Sequence, residues 1–170
     1  MAKNIVIFGC DNTGKTTLAN KLVEHFRSVN YFKSLGPNKT AMEQMKFMQE
    51  SMGTEGINVF DRFPLIEEAT SGVVLRNHDN FDAWGKKEKD ILSNVDLFIL
   101  CYPGLFNTLN WGEREQLEGV KENALNLINA YNSMAVLLKY NLHLDVVEYD
   151  YKLGFIEWFK VINKINKFLM

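Results

Sequence analysis

Four largely apolar runs stand far apart along the chain: Ile5-Val6-Ile7-Phe8, Ile57-Asn58-Val59-Phe60, Leu97-Phe98-Ile99-Leu100-Cys101 and Leu144–Val147. Short runs of this kind suit strands covered on both faces, as in the middle of a parallel sheet. They predict strands at 4–8, at 57–60 ending on Asp61, at 97–101 closed by Pro103, and at 144–147. A shorter strand is expected around Tyr31–Leu35, before Gly36-Pro37.

Between the strands the apolar spacing changes to that of helices. Leu18, Leu22, Val23 and Phe26 share a face over about 15–27, and Met42, Met45, Met48 and Met52 recur over Thr40–Met52. Further helices are predicted from about Ile66 to Arg76, over Phe81–Ser93, and from about Trp111 to Tyr140. In the last helix Phe155, Phe159, Ile162, Ile165 and Leu169 are expected to face inward, with Lys160, Lys164 and Lys167 outward. Strands alternating with helices predict an α/β fold, a five-stranded parallel sheet with helices on both faces. No repeat, low-complexity tract or linker divides the chain, so residues 1–170 read as a single domain. Ligands of such sheets bind beyond the carboxyl ends of the strands.

The segment directly after the first strand reads Gly9-Cys10-Asp11-Asn12-Thr13-Gly14-Lys15-Thr16-Thr17, a complete G-x-x-x-x-G-K-[ST] phosphate loop. Its position between a strand and a helix separates it from a chance match. Two glycines let successive backbone N–H groups converge on one anion, and the helix that follows adds its positive end. Lys15 can then reach the β- and γ-phosphates of a nucleoside triphosphate, and the Thr16 hydroxyl can ligate Mg²⁺.

Composition narrows the field. With 46% apolar and 24% charged residues the chain is an ordinary globular one, and a net charge of −2 implies no general attraction to nucleic acid or anionic membrane. No apolar run approaches the roughly 18 residues of a membrane span. Met1-Ala2-Lys3-Asn4 leads into the first strand without a signal-peptide pattern, and two cysteines, Cys10 and Cys101, make no disulfide framework. These features point to the cytoplasm. His25, His78 and His143 lack metal-ligand spacing. Fifteen lysines against four arginines single out Arg27, Arg62, Arg76 and Arg114, because only arginine grips phosphate with a planar fork. The Asn/Lys-rich, compact chain would suit a phage or an AT-rich bacterium.

Asp61-Arg62-Phe63-Pro64 follows the third strand. An acid at a strand end near a phosphate loop is placed to hold Mg²⁺ or its water shell, and the neighbouring arginine to grip a second phosphate opposite the first. The phosphate loop with Asp11 inside it, then Asp-Arg-aromatic some forty-five residues later, resembles the thymidylate kinases. More broadly it resembles the P-loop kinases of nucleosides and nucleoside monophosphates.

The resemblance implies the P-loop nucleotide kinase fold and a set of roles. Gly9, Asn12, Thr13, Gly14, Lys15, Thr16 and Thr17 would bind ATP, with Thr16 and Asp61 at Mg²⁺. Arg62 would bridge the acceptor phosphate and the transferred group, while Asp61 would support metal or acceptor. Asp11 would meet the acceptor's sugar or position the metal. Arg114 is the arginine available to a lid-like region around 104–116, where Trp111 would also lie. Phe63 would stack on a base or join the core, Glu67 would accept hydrogen bonds from a base or sugar hydroxyl, and Arg76 would approach the acceptor's base or phosphate.

The chain departs from the thymidylate pattern. Leu35-Gly36-Pro37-Asn38 lacks the usual arginine and acid, Glu67, Glu68 and Thr70 stand where an amide and a Tyr-Gln pair are common, and the fourth strand ends in Cys101-Tyr102-Pro103 without an acid. The reaction expected first is ATP-dependent phosphorylation of a deoxynucleoside monophosphate, dTMP or a close pyrimidine analogue. The alternative acceptor is a deoxynucleoside 5′-hydroxyl, or a hydroxyl on a polynucleotide or modified base, which is the one way nucleic acid would enter. A regulatory nucleotide-binding protein ranks behind both, since no Asn-Lys-x-Asp guanine motif stands late in the chain. The apolar helical stripes would allow a homodimer.

Overall fold

β1 (Ala2–Phe8) forms the axis of the sheet, because Ile5, Val6, Ile7 and Phe8 find apolar cover on both of its faces and are fully buried. The computed structural model describes residues 1–35, 39–76, 85–103 and 119–170. β1 lies between β3 (Gly56–Asp61) and β4 (Leu97–Cys101), flanked in turn by β2 (Val29–Lys33) and β5 (Val146–Tyr149). The order is β2-β3-β1-β4-β5 and every pair is parallel, as expected.

The two faces carry separate cores. Ile5, Ile7, Val59, Leu97 and Ile99 pack against Leu18 and Leu22 of α1 (Lys15–His25) and Val161 and Ile165 of α7 (Phe155–Leu169). Val6, Phe8, Phe60, Phe98 and Leu100 meet Met48 of α2 (Ala41–Met52), Leu92 of α5 (Lys86–Ser93), and Leu127 and Tyr131 of α6 (Ala124–Val136). Each such side chain contributes about 1.5–3 kcal/mol on burial. α3 (Pro64–Glu67) and α4 (Val73–Arg76) are joined by a π-helical turn, Glu68–Gly72, and a second π-helical turn, Leu137–Asn141, ends α6.

At the end of the sheet away from the phosphate loop, three asparagines form a polar rung. Asn30 Nδ2 donates to Asn58 Oδ1 at 3.0 Å, Asn58 Nδ2 donates to Asn4 Oδ1 at 3.0 Å and to the Thr54 carbonyl at 2.8 Å, and Asn4 Nδ2 donates to the Asn94 carbonyl at 2.9 Å. These side chains sit at matched positions of β2, β3 and β1, so the rung specifies register among three strands.

Several boundaries differ from expectation for local reasons. β5 begins two residues late because the Leu144 N–H is spent on the Leu138 carbonyl, at 2.9 Å, closing the turn after α6. β2 begins and ends two residues early, in register with β3 from Val29 opposite Ile57 to Lys33 opposite Asp61. α1 stops at His25, since Phe26 is extended. The helix after Arg62 begins at Pro64, whose fixed φ suits the first helical position. α6 begins only at Ala124, after a turn in which Gly119 has φ 80°. Residues 81–84 and 111–118, at the starts of two predicted helices, lie outside the described residues.

The face of α7 also needs correction. Ile162 and Ile165 are buried as expected, but Phe155 is 72% exposed, Phe159 52% and Leu169 40%. The helix offers two apolar stripes, and the sheet takes the one through Val161 and Ile165, with Trp158 and Phe168 packed beside it. Met42, 83% exposed, likewise lies off the Met48–Met52 core stripe.

Candidate active site

The loop after β1 is shaped by close packing. Gly9 has φ 138°, and a Cβ there would sit 2.4 Å from the Cys101 carbonyl oxygen at the end of β4, so only glycine lets the loop cross. Gly14 has φ 81°, with the Tyr151 Cβ 3.1 Å and its ring 3.2 Å from where a Gly14 Cβ would lie. The fully buried Thr13 hydroxyl donates to the Cys10 carbonyl at 2.7 Å, so this side chain shapes the loop from within. Lys15 Nζ donates to the Gly9 and Cys10 carbonyls at 2.7 and 2.6 Å and lies 3.8 Å from Asp11 Oδ1. A phosphate entering the loop would exchange those neutral carbonyls for charged oxygens. Thr17 lies exposed in the first turn of α1, and Asn12, at φ 62°, has its amide nitrogen buried without a partner.

β3 delivers the second half of the cluster. Asp61 is buried, and its Oδ2 accepts hydrogen bonds from Thr16 Oγ1 and from the Tyr31 hydroxyl, both at 2.8 Å. A hydroxyl and a carboxylate side by side form a hard oxygen pair suited to Mg²⁺, which takes one or two protein ligands and completes its shell with phosphate and water. Among the described residues no group of three His, Cys, Asp or Glu could hold a metal by itself. Arg62 adopts a left-handed φ of 73°, uncommon for a residue with a Cβ, while its N–H donates to the Ile7 carbonyl at 3.0 Å. From that turn its guanidinium donates to Asp11 Oδ1 and lies 3.5 Å from Glu67 Oε2.

Glu67 is held from three sides. Its Oε2 accepts from the Tyr131 hydroxyl at 3.0 Å and from Ser71 Oγ at 3.4 Å besides facing Arg62, while Oε1 is buried without a partner. Burial raises the Glu67 carboxyl above its ordinary range, against the pull of Arg62 and Lys15. Burial also lowers the Arg62 guanidinium, but Glu67 and Asp11 outweigh it and the group stays charged. The Tyr131 phenol is pushed well up by burial and by the Glu67 charge, so it acts as a donor. The Cys10 thiol, pushed up to about 11 by burial, is a poor nucleophile.

Of the residues singled out in the sequence, Asp11, Lys15, Thr16, Asp61, Arg62 and Glu67 therefore converge. Two do not. Phe63 is fully buried in the core, edge-on to Phe60 at 6.1 Å, with no ring face open to a base. Arg76 pairs with Glu68 at 2.8 Å, both roughly half exposed. Arg114, Trp111 and the expected lid at 104–116 fall in segments not described. Sequence reasoning passed over Tyr31 and Tyr131, whose one signal was a hydroxyl carried within an apolar pattern.

No family model and no curated protein sequence matches the chain. Solved structures do. Deoxyadenosine kinase from M. mycoides with bound dATP aligns at a TM-score of 0.66 and 19% identity, covering 96% of this chain and 99% of that one. The YorR protein from Bacillus subtilis, in complex with phosphorylated GDP, aligns at 0.62 and 16%, covering 97% and 96%. Thymidylate kinase from Candida albicans aligns at 0.55 and 15%, covering 86% and 83%. At these identities the likeness speaks for the fold, and it spans nearly the full length of the first two. The chain has the fold of the P-loop nucleoside and nucleotide kinases.

Proposed function

We propose that the protein transfers the γ-phosphoryl group of ATP to a deoxynucleoside-class acceptor. The observation that carries this reading is one cluster in which Thr16 donates to Asp61 while Asp11 pairs with both Lys15 and Arg62. Phosphoryl transfer asks for in-line positioning and neutralised charge more than for covalent chemistry. In this reading the loop N–H groups and Lys15 hold the donor phosphates. Mg²⁺, held by Thr16 and Asp61, would neutralise charge on the donor. Arg62 stabilises the phosphoryl group in flight, and Asp11 and Glu67 aim its guanidinium. Arg114 is assigned to a lid that excludes water. Two buried free thiols suit a reducing cytoplasm, and no helix among the described residues is long and apolar enough to cross a membrane.

The acceptor favoured by the motifs is a deoxynucleoside monophosphate, dTMP or a close pyrimidine analogue. A specific observation favours a second reading, a nucleoside 5′-hydroxyl: the Arg62 fork already faces two carboxylates, Asp11 and Glu67. A monophosphate would bring further negative charge to that place, whereas a neutral nucleoside would not. Labelled ATP incubated separately with deoxynucleosides, deoxynucleoside monophosphates and single-stranded DNA tests both. Label in the monophosphate pool favours the first reading and label in the nucleoside pool the second; transfer to none, with ATP bound, overturns phosphotransfer.

A further inference from the structure

Tyr31 lies in β2 with Val59 of β3 as its register partner. Side chains alternate along a strand, so Tyr31, Val59 and Asp61 share one face of the sheet, the face covered by α1. Thr16 belongs to the first turn of that helix. One oxygen of the buried Asp61 carboxylate therefore receives two hydroxyl donors from separate elements earlier in the chain, Thr16 from the phosphate loop and Tyr31 from the edge strand. Two donors at 2.8 Å on a single oxygen fix the carboxylate plane, since rotating it would break both bonds. Oδ1 takes no hydrogen bond among the described residues.

We infer that Tyr31 is a positioning residue for the nucleotide-bound divalent cation, acting through Asp61. This rests on the phosphotransfer reading and extends it to a residue outside either motif. With Tyr31 as anchor, Asp61 would keep its orientation when Thr16 and Asp61 hold a cation, which would neutralise charge on the nucleotide phosphates. Removing a partner of this kind from a metal-binding carboxylate weakens metal affinity or activity about 10–100-fold.

The test is Tyr31→Phe, which deletes the hydroxyl and keeps the ring. ADP binding is measured by calorimetry without metal and across a Mg²⁺ titration. The expected result is metal-free ADP affinity within about twofold of wild type, with half-saturating Mg²⁺ raised about tenfold. A Mg²⁺ response identical to wild type overturns the assignment to Tyr31 alone. An equal loss in the metal-free and Mg²⁺ arms also overturns it, because that marks a merely structural role. Absence of any Mg²⁺-dependent nucleotide binding in the wild-type protein overturns the phosphotransfer reading and this inference with it.

Discussion

The Arg62 guanidinium donates to the Asp11 carboxylate, a residue 51 positions earlier in the chain, and the contact ties the end of β3 to the loop after β1. Glu67 flanks the same guanidinium on its other side. The arginine is therefore oriented before any ligand arrives, which is the condition for electrostatic stabilisation without reorganisation.

Replacing Arg62 by alanine should leave ATP affinity within a few-fold while lowering turnover by about 10²–10³-fold, since its contact matters most in the transition state. Steady-state kinetics beside direct ATP titration checks this, and undiminished turnover would defeat the role given to Arg62.

The Glu67 carboxyl carries a raised pKa in the folded protein, caused first by burial, against an ordinary value of 4.5. A carboxyl of this kind binds its proton more tightly when folded. Its contribution is most favourable below the unfolded value and declines as pH rises from there through the folded value. Glu67→Gln should therefore gain stability relative to wild type as pH is raised from about 4.5 toward neutrality. Urea midpoints measured across that range check the sign, and a gap that is constant or closes with pH would refute it.

Gly9→Ala combines an unfavourable φ of 138° with a Cβ 2.4 Å from the Cys101 carbonyl oxygen. A loss of about 2–4 kcal/mol is expected, together with loss of nucleotide binding. Gly14→Ala, at φ 81° with its nearest neighbour, the Tyr151 Cβ, at 3.1 Å, should cost less, about 1–2 kcal/mol. Chemical denaturation of the two variants gives the ranking, and a milder effect at Gly9 would contradict the packing described.

Asn58→Ala leaves Asn4 Oδ1 and Asn30 Nδ2 without their bonds to Asn58. Asn30 Nδ2 keeps its bond to the Glu55 carbonyl, so the penalty falls on the buried Asn4 Oδ1, and a loss of about 1–3 kcal/mol is expected. Nucleotide affinity should be unchanged, because the rung lies at the opposite end of the strands. Urea unfolding paired with ATP titration separates the two effects.

The contrast between what the chain disclosed and what it withheld follows from distance along it. Lys15, Thr16, Asp61 and Arg62 were readable because a strand end, a tight loop and a helix start are written in adjacent residues. The sheet was readable because runs such as Leu97–Cys101 have one physical solution. Tyr31 and Tyr131 were not, since their partners depend on strand register and on how α6 docks, which local pattern does not encode. Phe63 illustrates the converse: its place beside Arg62 suggested a ligand, whereas the turn at Arg62 directs it into the core. In α7 two apolar stripes competed, and the shape of the sheet chose between them.

The widened turn at Glu68–Gly72 bears on how this site can change by insertion or deletion. Thr70 and Ser71 hydroxyls close onto the Ile66 and Glu67 carbonyls there, at 2.6 and 3.0 Å, where the backbone takes up an additional residue. Because the turn already absorbs that residue, excising it would return the rod to ordinary winding and leave everything beyond it near its present bearing. Leu75 would stay packed against the core, and Arg76, like Arg62 and Glu67, would keep its bearing. A single-codon loss could in this way be swallowed within the turn, leaving both the outer helix and the charged centre as they are.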